Sequence, residues 1–155
     1  EEGDLLGTAG ALKEAEGILD GSFCVLNGDS YLPINPLDSI WHFTDKGFAA
    51  MMLTFRNNNL YDRSNVEVEN GFVTAYDRNR PGLQFIDYGM RMFRKDVLQW
   101  IPSGCFCDLA SLYWKLIEES GLAAYMVSAP FYEIGSESGL ARFQEYSEKE
   151  KLYRQ

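Results

Sequence analysis

Histidine is almost absent from this chain. The one example, His42, sits beside Trp41 in a helical stretch. A lone imidazole there reads as a surface or packing residue, and no Ser-His-Asp or Cys-His arrangement can be assembled around it. Cysteine is scarce too. Cys24, Cys105 and Cys107 are an odd number without framework spacing, which reads as a reduced, cytoplasmic protein. Cys105-Phe106-Cys107 falls short of the four ligands a zinc site wants, with His42 distant in sequence. Basic residues are outnumbered, 14 Lys and Arg against 23 Asp and Glu, giving a net charge of -9. A nucleic-acid partner would want a basic face, so that class falls away. A nucleotide does not, because Mg²⁺ and helix N-termini neutralise phosphates locally. No apolar run reaches bilayer-spanning length and none reads as a signal peptide, so no membrane partner is expected. An initiator Met is missing as well. The chain opens Glu1-Glu2-Gly3-Asp4 and soon enters what reads as the middle of a domain, as expected of a fragment, a processed chain or half of a split protein.

What is present is an ordinary globular composition. Of 155 residues, 46% are hydrophobic and 24% charged, enough for one domain over residues 1–155 with a real core. Thr8 to Leu19 predicts a helix, with Thr8 as N-cap and Ala11, Leu12, Ala15, Ile18 and Leu19 at helical spacing. Phe23 to Leu26 reads as a buried parallel strand. Pro36 opens a second helix to about Lys46, and Phe48 to Phe55 is a second strand. Asn65 to Tyr76 predicts a hairpin turning at Asn70-Gly71. Leu83 to Phe93 is a long strand, followed by a helix from Lys95 to Ile101. Asp108 caps a strongly amphipathic helix stopped by Gly121. Ala123 to Ser128 is the last strand, and Gly135-Ser136 introduces the last helix. Alternating helices and strands predict an α/β fold: a Rossmann-like, mostly parallel sheet flanked by helices.

Several short patterns carry chemistry. Asn27-Gly28-Asp29 follows directly on the apolar run Phe23-Cys24-Val25-Leu26. Asp29 is either a turn former or a metal ligand delivered to the crevice where the strands of an open sheet end. Gly7-Thr8-Ala9-Gly10 opens the first helix. It reads as a tight turn with close packing, or as exposed N–H groups against which a nucleoside triphosphate lies. Glu133, in Phe131-Tyr132-Glu133-Ile134-Gly135-Ser136, is a metal ligand, direct or through water, or a carboxylate resting on the dipole of the last helix. Asp77 and Arg78 follow the hairpin, where Arg78 is a phosphate grip or a solvated charge. Asp87 and Gly89 lie in Ile86-Asp87-Tyr88-Gly89-Met90, the Asp as a turn residue or a substrate contact.

In this order these segments resemble the sugar-1-phosphate nucleotidyltransferases, the mannose-1-phosphate guanylyltransferases and glucose-1-phosphate nucleotidyltransferases among them, over nearly the whole chain. The resemblance implies a reaction between an NTP and a sugar 1-phosphate that gives a nucleoside diphosphate sugar and pyrophosphate. It implies Mg²⁺ on Asp29 and Glu133. It implies nucleotide contacts from Gly7, Thr8, Ala9, Gly10, Asn27 and Gly28, and sugar-phosphate contacts from Asp77, Arg78, Asp87 and Gly89. In much of the family the place of Glu133 holds Asp, one methylene shorter, and the place of Arg78 holds Lys. The family's Gly-x-Gly-Thr-Arg-Leu loop with its following Lys does not occur here. By that resemblance the first strands of the fold are missing and the chain alone is catalytically poor, its other half lying elsewhere. Two rivals stay open. A nucleotide-sugar glycosyltransferase would show Asp-x-Asp where this chain has Asn27-Gly28-Asp29-Ser30. A non-catalytic sugar-nucleotide-binding or assembly module would need no signature loop. Base, sugar and any homo-oligomer are not specified.

Overall fold

A computed structural model describes residues 5–119 and 121–153 of the chain. The opening residues Glu1-Glu2-Gly3-Asp4 lie outside the described residues. Among the described residues eight strands and four α-helices follow in the order α1 (Gly7–Glu14), β1 (Ser22–Leu26), β2 (Ser30–Tyr31), α2 (Leu37–Lys46), β3 (Ala50–Arg56), β4 (Val66–Glu69), β5 (Phe72–Tyr76), β6 (Phe85–Arg94), α3 (Leu109–Glu119), β7 (Leu122–Val127), β8 (Tyr132–Glu133) and α4 (Glu137–Tyr153). Short 3₁₀ helices follow α1 (Ala15–Ile18) and β6 (Lys95–Trp100).

Six strands form one sheet in the order β1-β6-β3-β7-β5-β4. Helices and sheet bear out the α/β expectation, and the strand directions refine it. β1 and β3 both run antiparallel to β6, and β3 runs parallel to β7. β5 runs against β7, and β4 against β5. Four strands therefore share one direction, yet β6 and β5 are interleaved among them, and β3–β7 is the one parallel ladder. The Phe23–Leu26 run is correspondingly not a buried parallel strand. It belongs to β1, at the sheet edge, with alternating half-buried and exposed residues.

The centre of the sheet is dry. Met51, Met52 and Leu53 of β3 are fully buried, as continuous apolar runs in a sheet covered on both faces should be. One face packs on α1 and α3 through Ala9, Leu112, Tyr113 and Leu116. The other packs Phe43 of α2 against Met51, Leu53, Tyr88 and Met92. The hairpin turns where expected, with positive φ at both Asn70 and Gly71, the combination a two-residue type I′ turn needs.

Two irregularities shape the surface above β1 and β6. The first is a bulge in β6: its Arg91 stands opposite Met52 and its Asp87 opposite Thr54, so two extra residues are looped into β6 between them. Gly89 lies in that stretch with φ +94°, a conformation that side-chain-bearing residues rarely adopt. The second is a separate two-stranded antiparallel sheet of β2 and β8, which pairs Ser30 with Glu133 and Tyr31 with Tyr132. Two-residue strands carry no periodicity, and the sequence did not announce them.

Candidate functional site

The small β2–β8 sheet brings Asp29 and Glu133 together across more than half the chain. Ile134 N donates to Asp29 O at 2.7 Å, closing the ladder beside the Ser30–Glu133 pair. One oxygen of each carboxylate is held by serine. Ser30 Oγ donates to Asp29 Oδ1 at 3.3 Å, and Ser136 Oγ donates to Glu133 Oε2 at 2.6 Å. The other two oxygens border one small space. A Cβ added to Gly135 would lie 2.6 Å from Glu133 Oε1 and 3.5 Å from Asp29 Oδ2. A cradle of hard carboxylate oxygens beside a residue without a side chain fits Mg²⁺, which is commonly held by one or two carboxylates plus substrate oxygens. Among the described residues no cluster of three His, Cys, Asp or Glu offers a complete protein cage for a metal.

Both carboxylates line a cleft of about 600 Å³ whose other walls include Asn27, Arg63, Arg78 and Asp87. A second cavity of about 560 Å³ shares Asn27, Tyr76, Arg78, Asn79 and Arg91 with it and extends to Thr8, Asp77, Asp108 and Trp114. Arg78 is exposed and borders both, as a phosphate grip requires. Asp77 is tied into its own turn, its Oδ1 accepting from Asn79 N at 2.7 Å.

Asp87 is not free to greet a ligand as a bare carboxylate. Arg91 Nη2 and Nε donate to its Oδ2 at 2.5 and 3.2 Å, and the Asp87 and Arg91 side chains are 4% and 8% exposed. On a regular strand residues four apart stand about 13 Å apart. The bulge shortens that span, and Gly89 between them leaves their path clear. Asp87 Oδ1 accepts from Gly89 N, and Asp87 N donates to Asn65 Oδ1. Arg91 also donates from Nη1 to Asn27 Oδ1 at 2.7 Å. Burial, the strongest single influence, pulls the Arg91 guanidinium towards deprotonation; the Asp87 charge and hydrogen bond, with Tyr113 and Tyr76, together outweigh it and leave the pKa above the usual arginine value. The Tyr113 ring lies under the same guanidinium, 6.0 Å from centroid to Cζ. Burial lifts its phenol well above the ordinary range, and its hydroxyl has no hydrogen-bond partner among the described residues. Arg91 and Tyr113 were not singled out from sequence. The hint that could have found Arg91 is a basic residue in an otherwise apolar central strand, which demands a buried counter-charge.

The glycine-rich turn behaves otherwise than the nucleotide reading expects. Two of its amides are taken: Ala9 N and Gly10 N donate to Cys107 O at 2.9 and 3.1 Å. A Cβ on Gly7 would stand 2.7 Å from Cys107 O, and one on Gly10 would stand 2.9 Å from Cys105 O. These glycines let α1 pack against the 105–107 segment. Of Gly7, Thr8, Ala9 and Gly10, Thr8 alone lines either of these two cavities. Nor does Thr8 cap its own helix. Its Oγ1 accepts from Leu109 N at 2.9 Å, capping α3, a task the sequence assigned to Asp108. Gly28 is exposed with nothing within 4 Å of an added Cβ, so the protein itself does not crowd it.

Known proteins resemble the chain in sequence and in fold. No family model matches the chain. A UTP--glucose-1-phosphate uridylyltransferase from Synechocystis sp. is 29% identical over 140 residues, an alignment covering 83% of this chain and 36% of that protein. The chain is similar to sugar-1-phosphate nucleotidyltransferases. HddC from Yersinia pseudotuberculosis, complexed with GMP-PN, superposes with a TM-score of 0.74 at 21% identity, over 91% of this chain and 62% of that one. UDP-glucose pyrophosphorylase from Acinetobacter baumanii superposes with a TM-score of 0.75 at 16% identity, over 90% and 55%. The fold is thus the Rossmann-like fold of the nucleotide-diphospho-sugar transferases. The chain spans about a third of the curated relative and little more than half of these structures.

Proposed function

We propose that this chain carries the metal-and-sugar side of a nucleotidyltransferase site that joins an NTP to a sugar 1-phosphate. The observation that carries the reading is the convergence of Asp29 and Glu133 on the space beside Gly135, at the wall of a cleft that also holds Arg78. Similarity to a uridylyltransferase acting on glucose 1-phosphate supports it. A sugar-phosphate oxygen attacks the α-phosphorus in line, the bond to the bridging oxygen breaks, and pyrophosphate leaves with that electron pair. No bond to the protein forms.

The chain's own groups bind and orient. Asp29 Oδ2 and Glu133 Oε1 would hold the divalent cation, the opposite oxygens being fixed by the two serines. A divalent cation held there would supply charge screening for the phosphates. Arg78 presents a planar fork suited to a phosphate. Asp87, neutralised by Arg91, offers the sugar an acceptor in a rigid wall rather than an isolated charge. Asn27 and Thr8 line the adjoining cavity, the space this reading gives to the nucleotide. Dependence on an NTP supports a cytoplasmic location.

The test is pyrophosphate release by the intact protein with Mg²⁺, each NTP in turn and a panel of sugar 1-phosphates. Release with one pair, reduced at least a hundredfold in Asp29→Asn, is expected; removal of a group that holds a catalytic cation costs on that order. A folded protein that binds nucleotide and releases no pyrophosphate with any pair would instead be a binding module.

A further inference from the structure

We propose that Arg91 is a positioning residue for the divalent-cation site and acts on it through Asn27. The proposal rests on the reading of Asp29 and Glu133 as metal ligands.

The turn that carries Asp29 has little packing of its own. Asn27, Gly28 and Asp29 are all exposed, and Gly28 has open space around its Cα. Order in such a segment has to come from anchors at its ends. One anchor is the hydrogen bond from Ile134 N to Asp29 O. The other is Asn27, which is gripped twice. Its backbone N donates to Gly89 O at 2.9 Å, and its side-chain Oδ1 accepts from Arg91 Nη1 at 2.7 Å. The Arg91 head is itself immobilised by Asp87 and by burial, so Asn27 is tied to a fixed point in the sheet rather than to another mobile side chain. Gly89 lies beside this link, within van der Waals reach of Asn27: a Cβ there would stand 3.4 Å from Asn27 Nδ2.

Arginine is the residue this needs. One planar guanidinium sends Nε and Nη2 to Asp87 and Nη1 to Asn27 at once. A lysine ammonium would neutralise Asp87 but is a compact point charge without the fork. That difference separates the positioning role from simple charge compensation in the core.

The experiment is titration of Mn²⁺, followed by its EPR signal, into the intact protein and into Arg91→Lys, Asn27→Ala and the double variant, with thermal unfolding of each alongside. Groups that orient metal ligands are worth roughly 10- to 100-fold in affinity. Arg91→Lys is expected to unfold cooperatively yet bind Mn²⁺ about tenfold more weakly. Asn27→Ala should weaken binding by a similar factor, and the double variant should lose nothing more, because both changes cut the same link. Wild-type affinity in Arg91→Lys overturns the proposal, and so do two losses that simply multiply. Should Arg91→Lys fail to fold, Asn27→Ala decides alone, since Asn27 is exposed: undiminished Mn²⁺ binding there overturns the proposal. A wild-type protein that binds no Mn²⁺ would sink the metal reading itself, a result distinct from variants that match a binding wild type.

Discussion

Asp87 takes a full charge into the sheet, and the residues around it are arranged for that charge. Arg91 supplies the counter-ion, while Gly89 N and Asn65 supply further hydrogen bonds. Breaking a buried pair from one side leaves the other charge stranded. Asp87→Ala is therefore expected to cost about 3–5 kcal/mol of unfolding free energy by urea denaturation, well beyond what a lost surface ion pair would cost. Gly89→Ala should cost about 1–3 kcal/mol by the same measurement, from its positive φ. A far smaller loss would mean that the bulge relaxes to accept a side chain. In the sequence, Asp87 and Gly89 could be picked out as a pair of interest, but their partner could not. Contact between residues four apart is a helix rule, and only the bulge lets a strand obey it.

At the level of elements, periodicity spoke plainly wherever an element was long. α2, β3, β6, α3 and the Asn70-Gly71 hairpin all lie within a residue or two of where spacing and turn chemistry put them. α1 is shorter than its apolar pattern, its last turn tightening into 3₁₀ geometry. What the pattern could not disclose was purpose. Gly7 and Gly10 serve helix packing, and Thr8 reaches across about a hundred residues to cap α3. Gly10→Ala should accordingly lower stability by about 1–3 kcal/mol, the usual penalty for forcing a methyl into a packed contact. Thr8→Ala should cost about 1 kcal/mol as a lost cap. Thermal unfolding measures both, and a Gly10→Ala protein as stable as wild type would return the turn to the ligand. β2 and β8 escaped notice because two residues cannot show a period of two. Yet they join Asp29 to Glu133, backed by aromatic contacts between Tyr31, Tyr132, Phe143 and Tyr146.

For the molecule as a whole, the site is a meeting of distant parts. Fold class was legible because helix and strand signals alternate; strand order was not, because pairing is decided by packing between segments far apart in the chain. A ligand that bridges those parts should stabilise the whole. Saturating Mg²⁺ with the matching NTP, at about 100 times Kd, is expected to add about 2.7 kcal/mol, seen as a raised melting temperature that chelation reverses. The way Glu133 is mounted has a further effect. It reaches the cleft on β8, which pairs with β2 outside the six-stranded sheet and leads directly into α4. α4 rests on this small sheet through rings and on Tyr61 through Arg142, 4.7 Å above the ring, rather than in the central core. Such a unit opens at lower free energy than the strands behind it. Hydrogen exchange should find the amides of β8 and α4 exchanging sooner than those of β3 and β6, with metal and nucleotide slowing them selectively. One of the two carboxylates would then be withdrawn and returned by local unfolding, so the protein could lose its grip on the cation while its sheet stays intact.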